Sequence, residues 1–211
     1  MPDHSEAPRL FLVAPPVVDP ATFANRMAEA LSAADIAAVL IGAEVGEETV
    51  ANLVEIVQAA GAAALIAEDT RIAGRLKADG VHVGSGLGDL RMAVDSFGGK
   101  RIVGAGNLHS RHTAMQAAEF GADYVFFGRP HGDTHDFAHP KALDLVEWWS
   151  ELMEIPAVAM AGRSLESVAE TAATGAAFVA LHEAVWSHQA GPGEAIRAAA
   201  AALQYTARRA A

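Results

Sequence analysis

One phrase repeats along this chain: an amphipathic segment, a Gly/Ala turn, then a short apolar run. It stands as Gly61-Ala-Ala-Ala-Leu-Ile-Ala, Ala78-Asp-Gly-Val-His-Val-Gly, Gly121-Ala-Asp-Tyr-Val-Phe-Phe-Gly and Gly175-Ala-Ala-Phe-Val-Ala-Leu. Each apolar run is too short for a helix and is bounded by turn residues, the pattern of a buried strand. Strands that alternate with helices need a parallel sheet, covered on its faces by those helices.

The remaining segments keep the same rhythm. Further strands are expected at Leu10 to Ala14, Ile36 to Ile41, Arg101 to Ala105 and Pro156 to Met160. Asp19-Pro20 opens a helix with Phe23, Met27, Ala30 and Leu31 on one stripe, and helices are expected at 47–60, 70–78, 89–96, 110–120, 142–153, 164–174 and 193–210. Eight strands alternating with helices predict an α/β fold, a single (β/α)8 TIM barrel of parallel strands over residues 1–211, with a loose polar tail over 1–9. An open doubly wound sheet is the alternative, but no single switch point is visible.

Composition narrows the function. The 211 residues are 52% hydrophobic, enough to bury a full core. With no cysteine, thiol nucleophiles, disulfides and thiolate metal sites are excluded, and the cytosol is the expected compartment. No stretch reaches the roughly 18 apolar residues of a membrane span, and Met1 to Arg9 lacks a signal peptide's apolar centre. A formal charge of −11 with no basic block argues against nucleic acid, leaving a local cationic pocket for a small anion. Helices rich in Ala and Met suit an intramolecular core and a homo-oligomer contact equally well.

In such a barrel the residues just past each strand share one face, where chemistry is done. These are Glu44, Glu68, Asp69, Ser85, Asn107, His109, Arg129, His131, Asp133, His135, Arg163, His182 and Glu183. Glu68 and Asp69, with Asp89, supply the hard oxygens Mg2+ prefers; a solvated helix start is the alternative. Gly162, Arg163 and Ser164 suit phosphate through backbone N–H groups and a guanidinium, or form an ordinary helix cap. His109 or His131 can move protons near neutral pH. His131, His135 and His139 are spaced by four, but Gly132 and Pro140 place them on a loop, where that spacing does not align them for a metal. His82 alternates with Val81 and Val83 and reads as an inward, satisfied core histidine, and Trp148-Trp149 as helix packing.

From Leu65 to Val185 the chain resembles the thiamine phosphate synthase and thiazole tautomerase superfamily. The resemblance rests on Lys77-Ala-Asp-Gly-Val-His-Val-Gly84, on Ile102-Val-Gly-Ala-Gly with Asn107 and His109 following, on Gly121 to Gly128, on Ile155-Pro-Ala-Val-Ala-Met-Ala-Gly162, and on Gly175 to Leu181, all in matching order. It implies a (β/α)8 barrel and an enzyme that uses Mg2+ to join a pyrimidine pyrophosphate to a thiazole phosphate, releasing pyrophosphate. The ligand implied is thus a small phosphorylated heterocycle.

Carried over by position, Glu68-Asp69 fall on acidic metal ligands, and Arg129 on the histidine the tautomerase branch uses after strand six. Arg129 therefore joins His109 and His131 as a candidate catalytic residue. The family's Gln-x-Arg-x-Lys clamp is Ile41-Gly-Ala-Glu-Val-Gly-Glu-Glu48 here, and Asp136 stands where a loop lysine belongs. Cations have become carboxylates, so an isomerase or a non-catalytic binder on the same barrel is the alternative function.

Overall fold

The structure, a computed structural model, describes residues 7–16 and 19–210. Eight parallel strands close into a barrel in sequence order, with β1 paired to β8. The strands are β1 Arg9–Val13, β2 Ile36–Gly42, β3 Ala63–Ala67, β4 Gly80–Val83, β5 Ile102–Ala105, β6 Tyr124–Phe127, β7 Ala157–Met160 and β8 Phe178–Leu181. Between and after them run α1 Pro20–Ala33, α2 Glu47–Ala59, α3 Thr70–Arg75, α4 Leu87–Phe97, α5 Arg111–Glu119, α6 Pro140–Leu152, α7 Ser167–Ala173, α8 Glu183–Trp186 and α9 Pro192–Ala210.

The barrel expected from the repeat is therefore present, and most differences are at element ends. Of the expected loose tail, residues 1–6 lie outside the described residues. Arg9 itself opens β1: its N–H donates to the Ala177 carbonyl and its guanidinium pairs with Asp35, so the strand begins one residue early. The short helix α8, directly after β8, had no counterpart in the sequence reading. The helix expected from Ser164 starts at Ser167, because Ser164 and Leu165 form turns held by the Ser167 and Val168 N–H groups.

The repeated Ala-Asp before a strand has a mechanical role. The Asp79 carboxylate accepts the Ala64 N–H of β3 at 2.8 Å, and the Asp123 carboxylate accepts the Val103 N–H of β5 at 2.7 Å. Each carboxylate closes an end of the neighbouring strand that the parallel ladder leaves open.

Period-two alternation divides the apolar side chains between two cores. Phe11, Val13, Leu40, Leu65, Tyr124, Phe126, Val158 and Met160 fill the barrel interior, while their strand neighbours Leu10, Leu12, Val125 and Phe127 pack outward under the helices. Inside, the Phe11 ring meets Tyr124 and Phe126 edge-on at 5.9 and 5.8 Å between centroids, a favourable aromatic geometry. Two inward glycines stand on and just after β5: a Cβ at Gly104 would overlap the Tyr124 ring, and one at Gly106 would overlap the His82 imidazole. Those two glycines make room for the polar pair at the base of the mouth.

Candidate active site

Five residues past or near strand ends gather around a cavity of about 430 Å³ at the carboxyl end of the barrel: Glu44, Glu68, Asn107, Arg129 and His131, with His82 also in its wall. Two of them, Glu68 (φ 62°) and Asn107 (φ 57°), hold left-handed backbone although neither is glycine. Such conformations cost of order 1–3 kcal/mol and persist where surrounding contacts fix them. For Glu68 those contacts are visible: its carboxylate accepts the Gly84 N–H at 2.7 Å and the Ser85 N–H at 3.2 Å, tying the β3 and β4 loops together.

Charge is divided across the mouth. Glu44 and Glu68 stand on the β2–β3 side, and Arg129 on the β6 side. His131 is anchored, since its Nε2 lies 3.0 Å from the Ala14 carbonyl; a carbonyl only accepts, so Nε2 carries the proton there. Of the three candidate catalytic residues, Arg129 and His131 line the cavity. His109 does not: it is exposed, one residue before the Ser110 cap of α5.

Beside His131 lies a buried pair that sequence reasoning did not assemble. The Asp133 carboxylate is 3.0 Å from His182 Nδ1 and also accepts the Glu183 N–H at 2.6 Å. The His182 and His131 rings meet edge to face at 4.9 Å. Asp133 thereby holds the long loop after β6 against the end of β8. No local signal in the sequence links two residues 49 apart; only the shared barrel face could have suggested it.

The residues expected to hold metal behave differently from one another. Asp69 caps α3, its Oδ1 accepting the Arg71 and Ile72 N–H groups, and Asp89 is exposed in the first turn of α4. Glu68 alone of the three lines the cavity, and among the described residues no three acidic or histidine side chains are grouped for a metal. Mg2+ is commonly held by one or two carboxylates plus water and substrate phosphates; each Glu68 carboxylate oxygen already accepts one backbone N–H, leaving its remaining lone pairs toward the cavity.

The turn expected to hold phosphate has its backbone donors engaged within the chain. Gly162 N–H donates to Ser167 Oγ at 2.9 Å, Arg163 N–H to the His135 carbonyl at 2.8 Å, and Ser164 N–H to the Asp136 carbonyl at 3.3 Å. The Arg163 guanidinium is paired with Asp136 at 2.7 Å. The β6 loop thus lies over this turn, and the side chains of Arg163 and Ser164 border a second cavity of about 620 Å³ with Glu183 and His188.

At the base of the mouth, His82 Nδ1 is 2.8 Å from the Tyr124 hydroxyl, and its Nε2 has no partner. The sequence reading of an inward histidine holds, but not that of a satisfied one. Burial lowers its pKa to about 4, so the ring is neutral at working pH, and the same burial raises that of Tyr124 well above the ordinary phenol value.

The fold and site define a closed parallel (β/α)8 barrel with charged residues around the mouth at its carboxyl end, a scaffold that hosts many unrelated functions. A family model described as "Thiamine monophosphate synthase" matches residues 10–185. The thiamine-phosphate synthase of Rhodospirillum centenum is 39% identical over 197 residues, covering 89% of this chain and 94% of that one. That of Hyphomonas neptunium is 36% identical over 201 residues, covering 90% and 91%. The chain belongs to the thiamine monophosphate synthase family. In three dimensions the thiamine phosphate pyrophosphorylase of Pyrococcus furiosus superposes with a TM-score of 0.76, covering 94% and 96% of the two chains at 20% identity, a likeness of fold.

Proposed function

We propose that this chain is a thiamine-phosphate-synthase-type transferase, joining a pyrimidine pyrophosphate to a thiazole phosphate at the barrel mouth. The observation that carries the reading is the cavity itself: a family member over nearly its whole length keeps a polar mouth in which an acidic residue, Glu68, faces a cationic one, Arg129.

The roles follow from charge and position. Arg129 holds a phosphate oxygen, since guanidinium is a permanent cation with a fork of donors. Glu68 holds Mg2+, which offsets pyrophosphate charge when bound. Arg163 and Ser164 receive the second phosphate once Asp136 yields Arg163. Such chemistry depends on positioning two ligands and stabilising a departing anion, and it needs no covalent nucleophile. Glu44 is the departure from the family's cationic clamp: it adds negative charge where pyrophosphate would lie, so this site relies more heavily on Mg2+.

Asp133 and His182 favour a second reading. A buried carboxylate on one imidazole nitrogen orients the ring for proton transfer at the other, as an isomerase needs. The two readings separate in a thermal-shift panel on the purified chain with pyrimidine pyrophosphate, thiazole phosphate and inorganic phosphate, each with and without Mg2+. A ligand at a hundredfold excess over Kd raises stability by about 2.7 kcal/mol. A shift with pyrimidine pyrophosphate that needs Mg2+ supports the transferase; a shift only with monophosphates, indifferent to Mg2+, favours the isomerase.

A further inference from the structure

We propose that His131 is the second cation of the pyrophosphate site: when a phosphate group enters the mouth, Nδ1 takes up a proton from solvent and donates it in a hydrogen bond to a phosphate oxygen. This rests on the transferase reading and adds to Arg129 a charge that appears only with the ligand.

The local sequence sets the two side chains together. Arg129-Pro130-His131-Gly132 is a β-turn closed by the Gly132 N–H on the Arg129 carbonyl at 2.9 Å. Proline in the second position and glycine in the fourth are the residues such a turn favours. Here the glycine is also required by space, because a Cβ at Gly132 would lie 2.7 Å from the Arg129 Cβ. Arg129 and His131 are both exposed, and both line the mouth cavity, so a ligand seated there reaches them.

The tautomer leaves one ring atom open. Nε2 spends its proton on the Ala14 carbonyl at 3.0 Å, so in the neutral ring Nδ1 carries a lone pair, and it has no partner among the described residues. A bare nitrogen repels a phosphate oxygen, which can only accept; contact between them requires a proton on Nδ1. Imidazole is the side chain that can gain that proton near neutral pH. Of the two histidines in the cavity wall, His82 is held neutral by burial, with a pKa of about 4, which leaves His131 for this task.

The groups around the ring favour the cation. Glu44 and Glu68 stand in the same wall from the β2 and β3 loops. From the end of β8 the His182 ring meets His131 edge to face at 4.9 Å, with its own Nδ1 on the buried Asp133 carboxylate. On the β1 side the Ala14 carbonyl accepts more strongly from a charged ring than from a neutral one. Arg129 opposes the charge, and an incoming phosphate offsets Arg129 while attracting the imidazolium directly.

The test is calorimetry on the full chain slightly above the ordinary imidazole range, in buffers of different ionisation enthalpy, which counts protons taken up per ligand. The probes are inorganic pyrophosphate and pyrimidine pyrophosphate, each with and without Mg2+. His131→Gln keeps a donor for the Ala14 carbonyl and removes the titrating atom, so comparing it with the parent cancels the ligand's own ionisation. The parent should take up more protons than the variant, by at most about one, and its advantage in affinity should grow by up to about tenfold for each unit the pH falls across the neutral range. Nitrogen-15 NMR of the parent imidazole should find Nδ1 bare in the free chain and protonated in the complex, whatever the folding of the variant. Equal proton uptake in parent and variant overturns the inference, as do an Nδ1 that stays bare in the complex and a parent that binds no pyrophosphate. Inorganic pyrophosphate bound with the extra proton, while pyrimidine pyrophosphate does not bind, would uphold the role of His131 and remove the transferase reading instead.

Discussion

The Asp133 carboxylate lies 3.0 Å from His182 Nδ1, and both side chains are buried. Because Asp133 also takes the Glu183 N–H, this one carboxylate fixes the β6 loop to the start of α8. Asp133→Ala leaves two donors without their acceptor in a dry setting. The expected cost is about 2–4 kcal/mol in urea unfolding, since stranding partners of a buried charged group exceeds the value of an ordinary hydrogen bond. Unchanged stability would show that water replaces the carboxylate.

Arg163 and Asp136 make the opposite case. Their ion pair is exposed on both sides, 56% and 70% by side chain, so screening leaves it little weight in folding. Asp136→Asn should leave the unfolding midpoint unchanged and tighten pyrophosphate or phosphate binding, because the Arg163 guanidinium becomes available. Equal anion affinity in the variant and the parent would show that Arg163 takes no part in binding.

Gly104 faces the Tyr124 ring across the interior, where a methyl group has no space. Gly104→Ala should therefore destabilise the barrel by about 1–3 kcal/mol, the usual cost of overpacking. Gly88, with open space around its Cβ position, is the control and should change stability little.

His82 makes stability depend on pH in a definite direction. Its folded pKa of about 4 lies below the ordinary 6.5, so between those values the unfolded chain binds the extra proton. Its contribution is thus complete above about pH 6.5 and is lost as pH falls toward 4, at most roughly 3 kcal/mol. Urea denaturation at several pH values should show this slope in the parent and a shallower one in His82→Phe. Parallel slopes would mean that the imidazole titrates normally.

The barrel was legible because its signal is repeated: the strand-opening phrase recurs, and the Asp of Ala78-Asp79 and of Ala122-Asp123 does the same job each time. Alternation placed His82 inward for the same reason. What the sequence could not show is how distant polar groups use their hydrogen bonds. Glu68 and Asp69 are adjacent, yet one lines the mouth and the other caps α3, a choice made by the left-handed turn at Glu68. Gly162 to Ser164 read well as an anion turn, but Ser167 takes the Gly162 N–H and the β6 loop, through the His135 and Asp136 carbonyls, takes those of Arg163 and Ser164. The His182–Asp133 pair joins two loops that only barrel closure brings together.

Two of the mouth's charged residues, Arg129 and Glu68, should separate rate from metal binding. Arg129→Ala is expected to lower turnover about a hundredfold by removing a cation from a departing phosphate. Glu68→Gln should raise the Mg2+ concentration needed for half-maximal rate. Identical Mg2+ titrations in variant and parent would place the metal elsewhere.

The most direct measurement is product formation: the purified chain incubated with pyrimidine pyrophosphate and thiazole phosphate, with Mg2+ or with a chelator, and assayed for thiamine phosphate and released pyrophosphate. Equal amounts of the two products, formed only with Mg2+, are the expected result. Binding of both substrates with no product at any Mg2+ concentration would contradict the transferase reading and leave this family member a binder of the same ligands.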